Sequence, residues 1–169
     1  MKVILACVGA VLLAGCAASD KRPTSEIVSN LSVDEKAVAS QFPCFHSISP
    51  RGAKSASWEK SVCVRTQDKL VFAQRDKDRY VPTASLPFKN VKSVALWKRG
   101  LVRQIQLDTE AGVHTVSARS EGLLVDGDGA KTEAEFDALV QAGIPAVSAT
   151  AWVSNRNSAP LFIPLYVGK

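Results

Sequence analysis

Between Val62 and Arg119 apolar residues come in short alternating or β-branched runs separated by turn-forming residues, the pattern of an antiparallel β domain. Strands are predicted at Val62–Thr66, Leu70–Gln74, Arg79–Thr83, Val91–Lys98, Leu101–Asp108, Val113–Arg119 and Gly122–Val125. The breaks at Asp76-Lys77-Asp78, Arg99-Gly100, Glu110-Ala111-Gly112 and Ser120-Glu121 read as hairpin turns. In one strand Arg103, Ile105 and Leu107 alternate with Val102, Gln104 and Gln106, as a half-buried antiparallel strand does. After Asp126-Gly127-Asp128-Gly129 the period becomes helical. Thr132 and Glu135 fit a capping box, Phe136, Leu139 and Val140 give an apolar stripe, and Gly143 with Pro145 ends the helix.

The flanks read differently. Residues 17–31 are small and polar with no apolar period, the composition of a flexible tether. Ser32 followed by Glu35 predicts a short helix over Val33–Gln41, stopped before Pro43, and Ser47–Lys60 reads as a loop. Beyond the C-terminal helix, Thr150–Ser154 and Leu161–Val167 are expected to pair as a late hairpin. Pro160 and Pro164 confine the second run to an edge or a non-strand path. That run is apolar enough either to pack on its own domain or to serve as a docking strand for a partner.

At the N-terminus Lys2 gives a basic start, Val3–Leu13 an apolar stretch too short to span a bilayer, and Leu13-Ala14-Gly15-Cys16 a small-residue run ending in cysteine. These first nineteen residues resemble a bacterial lipoprotein signal, with Leu13–Cys16 as its lipobox. The resemblance implies cleavage before Cys16 and acylation there, the several chains together supplying the anchor. Ala17, which is not aspartate, favours the outer membrane, with the domain facing the periplasm. The expected organisation is a signal peptide at 1–15, a lipidated tether at 16–31, a short helix and disulfide loop at 32–61, a barrel at 62–142, and an apolar C-terminal extension at 143–169.

Seven strands followed by one helix predict a mainly β, α+β class fold, a small antiparallel barrel or roll. Within residues 62–142 stand the runs Lys69-Leu70-Val71-Phe72-Ala73, Leu86-Pro87-Phe88-Lys89-Asn90-Val91-Lys92-Ser93-Val94 and Ile105-Gln106-Leu107-Asp108-Thr109-Glu110-Ala111-Gly112. Through them the chain resembles bacterial pleckstrin-homology-like domains and the related GRAM-type domains. The resemblance implies a fold and transfers no ligand residue.

Charge and cysteine usage sharpen this picture. The net charge of +5 falls to +4 without Lys2. Its distribution is uneven: Arg79, Lys89, Lys92, Lys98, Arg99 and Arg103 precede an acidic stretch from Asp108 to Asp137. Lys89, Lys92, Trp97, Lys98, Arg99 and Arg103 are therefore candidate ligand-binding residues for an anionic lipid or a cell-wall glycan. Nucleic acid is not an expected partner of an envelope protein. Of four cysteines, Cys7 leaves with the signal and Cys16 takes lipid, so Cys44 and Cys63 remain to form a disulfide in an oxidising compartment.

No catalytic, metal or cofactor residue is assigned. Ser57-Trp58-Glu59-Lys60 fits Ser-x-x-Lys without the companion motifs of that fold, and Asp126-Gly127-Asp128-Gly129 lacks the further ligands of a calcium loop. His114 is expected as a neutral, hydrogen-bonded histidine on the same strand face as Val116 and Ala118, and His46 in a constrained loop. These readings point to a non-catalytic envelope protein that presents a protein-interaction or scaffold surface, or alternatively binds an anionic ligand.

Overall fold

The computed structural model describes residues 24–120, 127–149 and 151–156. The signal segment, Cys16, the predicted strand Gly122–Val125 and the run Leu161–Val167 lie outside them. The strands are β1 (Ser40–Ser49), β2 (Ser55–Ala56), β3 (Glu59–Arg65), β4 (Lys69–Asp76), β5 (Arg79–Pro87), β6 (Val91–Arg99), β7 (Val102–Thr109), β8 (Gly112–Ala118), β9 (Ala146–Val147) and β10 (Ser154–Asn155). Helix α1 spans Thr24–Val28 and α2 spans Gly129–Gln141.

The main sheet has the order β5-β4-β3-β1-β8-β7-β6-β9, antiparallel except that β9 runs parallel to β6. β1 is shared. One edge pairs with β3, Phe42 opposite Cys63, and the other with β8, His46 opposite Val116. It thereby joins a four-stranded meander to a three-stranded one. The sheet curls around one core in which Phe42, Phe72, Leu86, Val94, Ile105, Leu107 and Val116 meet, and Leu139 and Ile144 close one end. Four strands, three strands and a C-terminal helix form a pleckstrin-homology-like layout.

The continuous apolar run in β4 has a simple cause. Leu70 and Phe72 face this core, while Val71 and Ala73 face outward under a second apolar cluster. That cluster is completed by Ile27, Val28 and Leu31, so the part of the predicted tether from Thr24 onward is not free chain. It folds as α1 and packs on the outer face of β3 and β4.

The predicted helix Val33–Gln41 reduces to a 3₁₀ turn, Glu35–Ala37, capped by Asp34 rather than Ser32, and β1 begins at Ser40. β1 is the strand the sequence reading missed, and Pro43 lies inside it. Proline is tolerated because its carbonyl faces the point where β8 ends, accepting from the Arg119 N–H at 2.8 Å, so no ladder donor is lost there. His46 consequently stands in a strand, not in a loop. The segment between β1 and β3 is a loop interrupted only by two-residue β2.

α2 is held where predicted but by different contacts. Asp128 is its N-cap, accepting from the Lys131 N–H. Thr132 instead donates to the Asp128 carbonyl and accepts the Ala118 N–H, which stitches the helix to the end of β8. Gly129 lets the helix start sit close against the β6–β7 turn: a Cβ there would meet the Leu101 carbonyl oxygen at 2.6 Å. Glu135, only 4% exposed, turns into the barrel end. It accepts from Ser40 at 2.6 Å, Arg65 at 2.8 Å and Lys131 at 2.8 Å. Burial pushes its carboxyl up, but these hydrogen bonds and the Arg65 charge outweigh burial and hold it below the ordinary carboxylate range.

Residues after α2 cross the outside of the sheet as a strap. β9 adds to β6, Ala151 and Val153 accept from Gln106 and Gln104, and β10 pairs in parallel with β2. Ser154 therefore joins β2, while its predicted hairpin partner lies outside the described residues.

Candidate functional site

The disulfide is formed between Cys44 of β1 and Cys63 of β3, with Cα atoms 5.9 Å apart and both residues fully buried. It locks the shared strand to the four-stranded meander at the centre of the core.

The six candidate ligand-binding residues do not form one face. Lys98 and Arg103 converge on Glu133 of α2, Lys98 at 3.2 Å and Arg103 through its Nε. Hydrogen bonds from Arg103 and then Lys98 hold the Glu133 carboxyl below its ordinary range. Arg99 is exposed beside them at the β6–β7 turn. Lys89 and Lys92 stand at the other end of β6, six residues from Lys92 to Lys98, or roughly 20 Å along a strand. Trp97 faces away from the core and packs against Trp152 of the strap, ring centroids 4.7 Å apart.

That strap forms one wall of an apolar cleft on the outer face of the sheet. Trp152 and Val153 stand on one side, Phe45 and Trp58 on the other, and Val102 lies between them in a cavity of about 260 Å³. Phe45 and Trp58 meet edge to face, centroids 6.3 Å apart, and Arg119 lies over the Phe45 ring. The Trp58 indole N–H finds no acceptor among the described residues. The sequence singled out Trp97; it gave no signal for Phe45, Trp58 and Trp152, which come together only because the strap crosses the sheet.

A second feature lies inside the barrel, at the end away from α2. His46 and His114 project inward from adjacent strands, with His46 Nε2 3.2 Å from His114 Nδ1. The His46 ring stacks on Phe72, centroids 3.6 Å apart and 8° from parallel. Burial, reinforced by the neighbouring His114, lowers the His46 pKa to about 3, and burial lowers that of His114. Both rings are therefore neutral at neutral pH, and one donates to the other. Among the described residues no group of three or more histidine, cysteine or acidic side chains is placed to hold a metal.

No protein-family model matches the chain. No curated protein matches its sequence. Among solved structures the chain is similar to Vav1 bound by an allosteric inhibitor of its exchange activity, at 10% identity and a TM-score of 0.43, covering 62% of this chain and 26% of that one. It is similar to the DH/PH domains of p115-RhoGEF, at 10% identity and a TM-score of 0.43, over 62% of this chain and 30% of that one. It is also similar to the hSac2 domain of the human phosphoinositide phosphatase Sac2, at 14% identity and a TM-score of 0.41, over 67% and 77% of the two chains. The chain spans less than a third of the length of the first two.

Proposed function

We propose that this protein is a non-catalytic lipoprotein of the outer membrane, anchored through Cys16, whose barrel binds an envelope protein partner. The observation that carries the binding role is the cleft of Phe45, Trp58, Val102 and Trp152. Its walls are aromatic and uncharged, and Val102 stays 37% exposed between them. Rigid aromatic walls around an apolar floor are the usual make-up of the energetically dominant part of a protein interface. An apolar side chain of a partner would fill it. The lipobox supports the anchoring half of this reading.

A photoreactive phenylalanine analogue at position 152 tests the docking role. One discrete adduct in cells, lost on Val102→Glu, is the expected result. No adduct, or one indifferent to Val102→Glu, would overturn it.

A second reading, binding of an anionic lipid or cell-wall glycan, is favoured by the exposed Lys89, Lys92 and Arg99. Such binding should weaken steeply with salt.

A further inference from the structure

The end of the barrel opposite α2 opens into a cavity of about 470 Å³, within the range of small-ligand sites. Its contents are chemically mixed. Ser85, Lys89, Asn90, Lys92, Glu110 and His114 are among its lining residues. We infer that this cavity binds an acidic sugar, a polyhydroxylated ring carrying a carboxylate.

Three observations carry the inference. The first is the position of Lys92. Val91 pairs with Thr109 and Ser93 with Asp108, so Lys92 is the extra residue of a β-bulge. A bulge turns its side chain out of the ladder's alternation, a device found where a strand re-aims a residue toward a site. Neither Lys92 nor Lys89 has an ion-pair partner among the described residues, unlike Lys98 of the same strand and Arg103 of β7.

The second is the histidine pair. Two buried polar rings at the inner end of a cavity cost desolvation that two apolar side chains would avoid. Their mutual hydrogen bond uses Nδ1 of His114, which is itself only 8% exposed. Nε2 of His114 is thus left as the ring's polar atom for the cavity, and the His46 tautomer decides whether it donates or accepts. A sugar hydroxyl both donates and accepts, so it suits either state.

The third is the charge count of the lining. Two lysines against one glutamate leave a single net positive charge, which matches one carboxylate. Glu110, a repulsive neighbour for a bare anion, accepts hydrogen bonds from hydroxyls. Ser85 and Asn90 supply further uncharged partners around the ring.

This site takes its anionic ligand from the second reading above but needs only Lys89 and Lys92 among the basic residues. The test uses the fact that His46 and His114 are the two histidines of the chain, so their imidazole NMR signals are readily assigned. D-glucuronate, D-glucose and acetate are titrated separately into the chain from residue 17 onward. Glucuronate is expected to shift the His114 signals saturably, and glucose and acetate each to bind at least about tenfold more weakly. Lys89→Gln with Lys92→Gln should weaken glucuronate about tenfold or more, while Lys36→Gln with Lys60→Gln, which removes two charges elsewhere, leaves it unchanged. Acetate acting as well as glucuronate, equal loss in both double variants, or no saturable shift overturns the inference. Glycan binding that survives loss of Lys89 and Lys92 but fails in Lys98→Gln with Arg99→Gln overturns this site while upholding the second reading.

Discussion

Sixty-eight residues apart in sequence, His46 and His114 meet ring nitrogen to ring nitrogen at 3.2 Å in the interior of the barrel, His46 stacked on Phe72. The contact follows from register. His46 stands opposite Val116 and Ile48 opposite His114, so the two histidines are diagonal neighbours on the inward face of β1 and β8.

A pH dependence follows from this pair. A histidine whose folded pKa lies below its unfolded value of 6.5 stabilises the fold above that value and loses the contribution as pH falls. For His46 the loss runs from about pH 6.5 down to about 3, with a limiting slope of about 1.4 kcal/mol per pH unit. Glu135 adds in the same direction below its ordinary range, because its folded pKa is also lowered. Denaturant unfolding between pH 7 and 4 should show this decline, and His46→Gln should flatten it above pH 5. A stability independent of pH over that interval contradicts the buried neutral pair.

Loss of Glu135 should be costly. Its carboxylate collects Ser40, Arg65 and Lys131 at the junction of β1, β3 and α2, and its removal leaves the largely buried Arg65 unpaired. Glu135→Ala is expected to destabilise by about 3 kcal/mol. Glu133→Ala, on the exposed side of the same helix, should change stability little. Similar losses for both, measured by chemical denaturation, would contradict the network described.

Gly129→Ala should disturb the seating of α2, since the added methyl meets a backbone carbonyl that cannot swing away. A loss of roughly 1–3 kcal/mol is expected, the usual cost of overpacking. Gly127→Ala, with open space around its Cβ, is the control. Equal stability of both variants would mean that the helix start is not in contact with the β6–β7 turn.

Replacing Cys44 and Cys63 together by serine should lower stability by roughly 2–4 kcal/mol. The bond ties the shared strand to β3, so hydrogen exchange should rise first in β1. Two reactive thiols in the unfolded, unreduced chain from residue 17 onward would show that no bridge exists.

Much of the barrel was legible because its signals are local. The alternation of Arg103, Ile105 and Leu107, the two-faced run Leu70–Ala73 and the stripe of Phe136, Leu139 and Val140 each state an element within one window. β1 was hidden although Phe42, Cys44 and His46 alternate inward, because Pro43 reads as a stop unless one knows that β8 ends beside it. The burial of Ile27, Val28 and Leu31 was equally hidden, since three apolar residues in a polar stretch reveal no partner surface. The disulfide followed from elimination among cysteines. The clefts did not, because Trp152 reaches Trp97, and Lys92 and His114 share one cavity, only through the strap and the rolled sheet.

The claim that most needs testing is that a lipid-anchored barrel docks a partner through its aromatic cleft. Photo-cross-linking from position 152 in cells, comparing the unaltered chain with Cys16→Ser and with Val102→Glu, tests both halves together. One discrete adduct in the membrane fraction, absent from both variants, is the predicted result. An adduct of the same size and yield in all three, or none from position 152, would contradict the account.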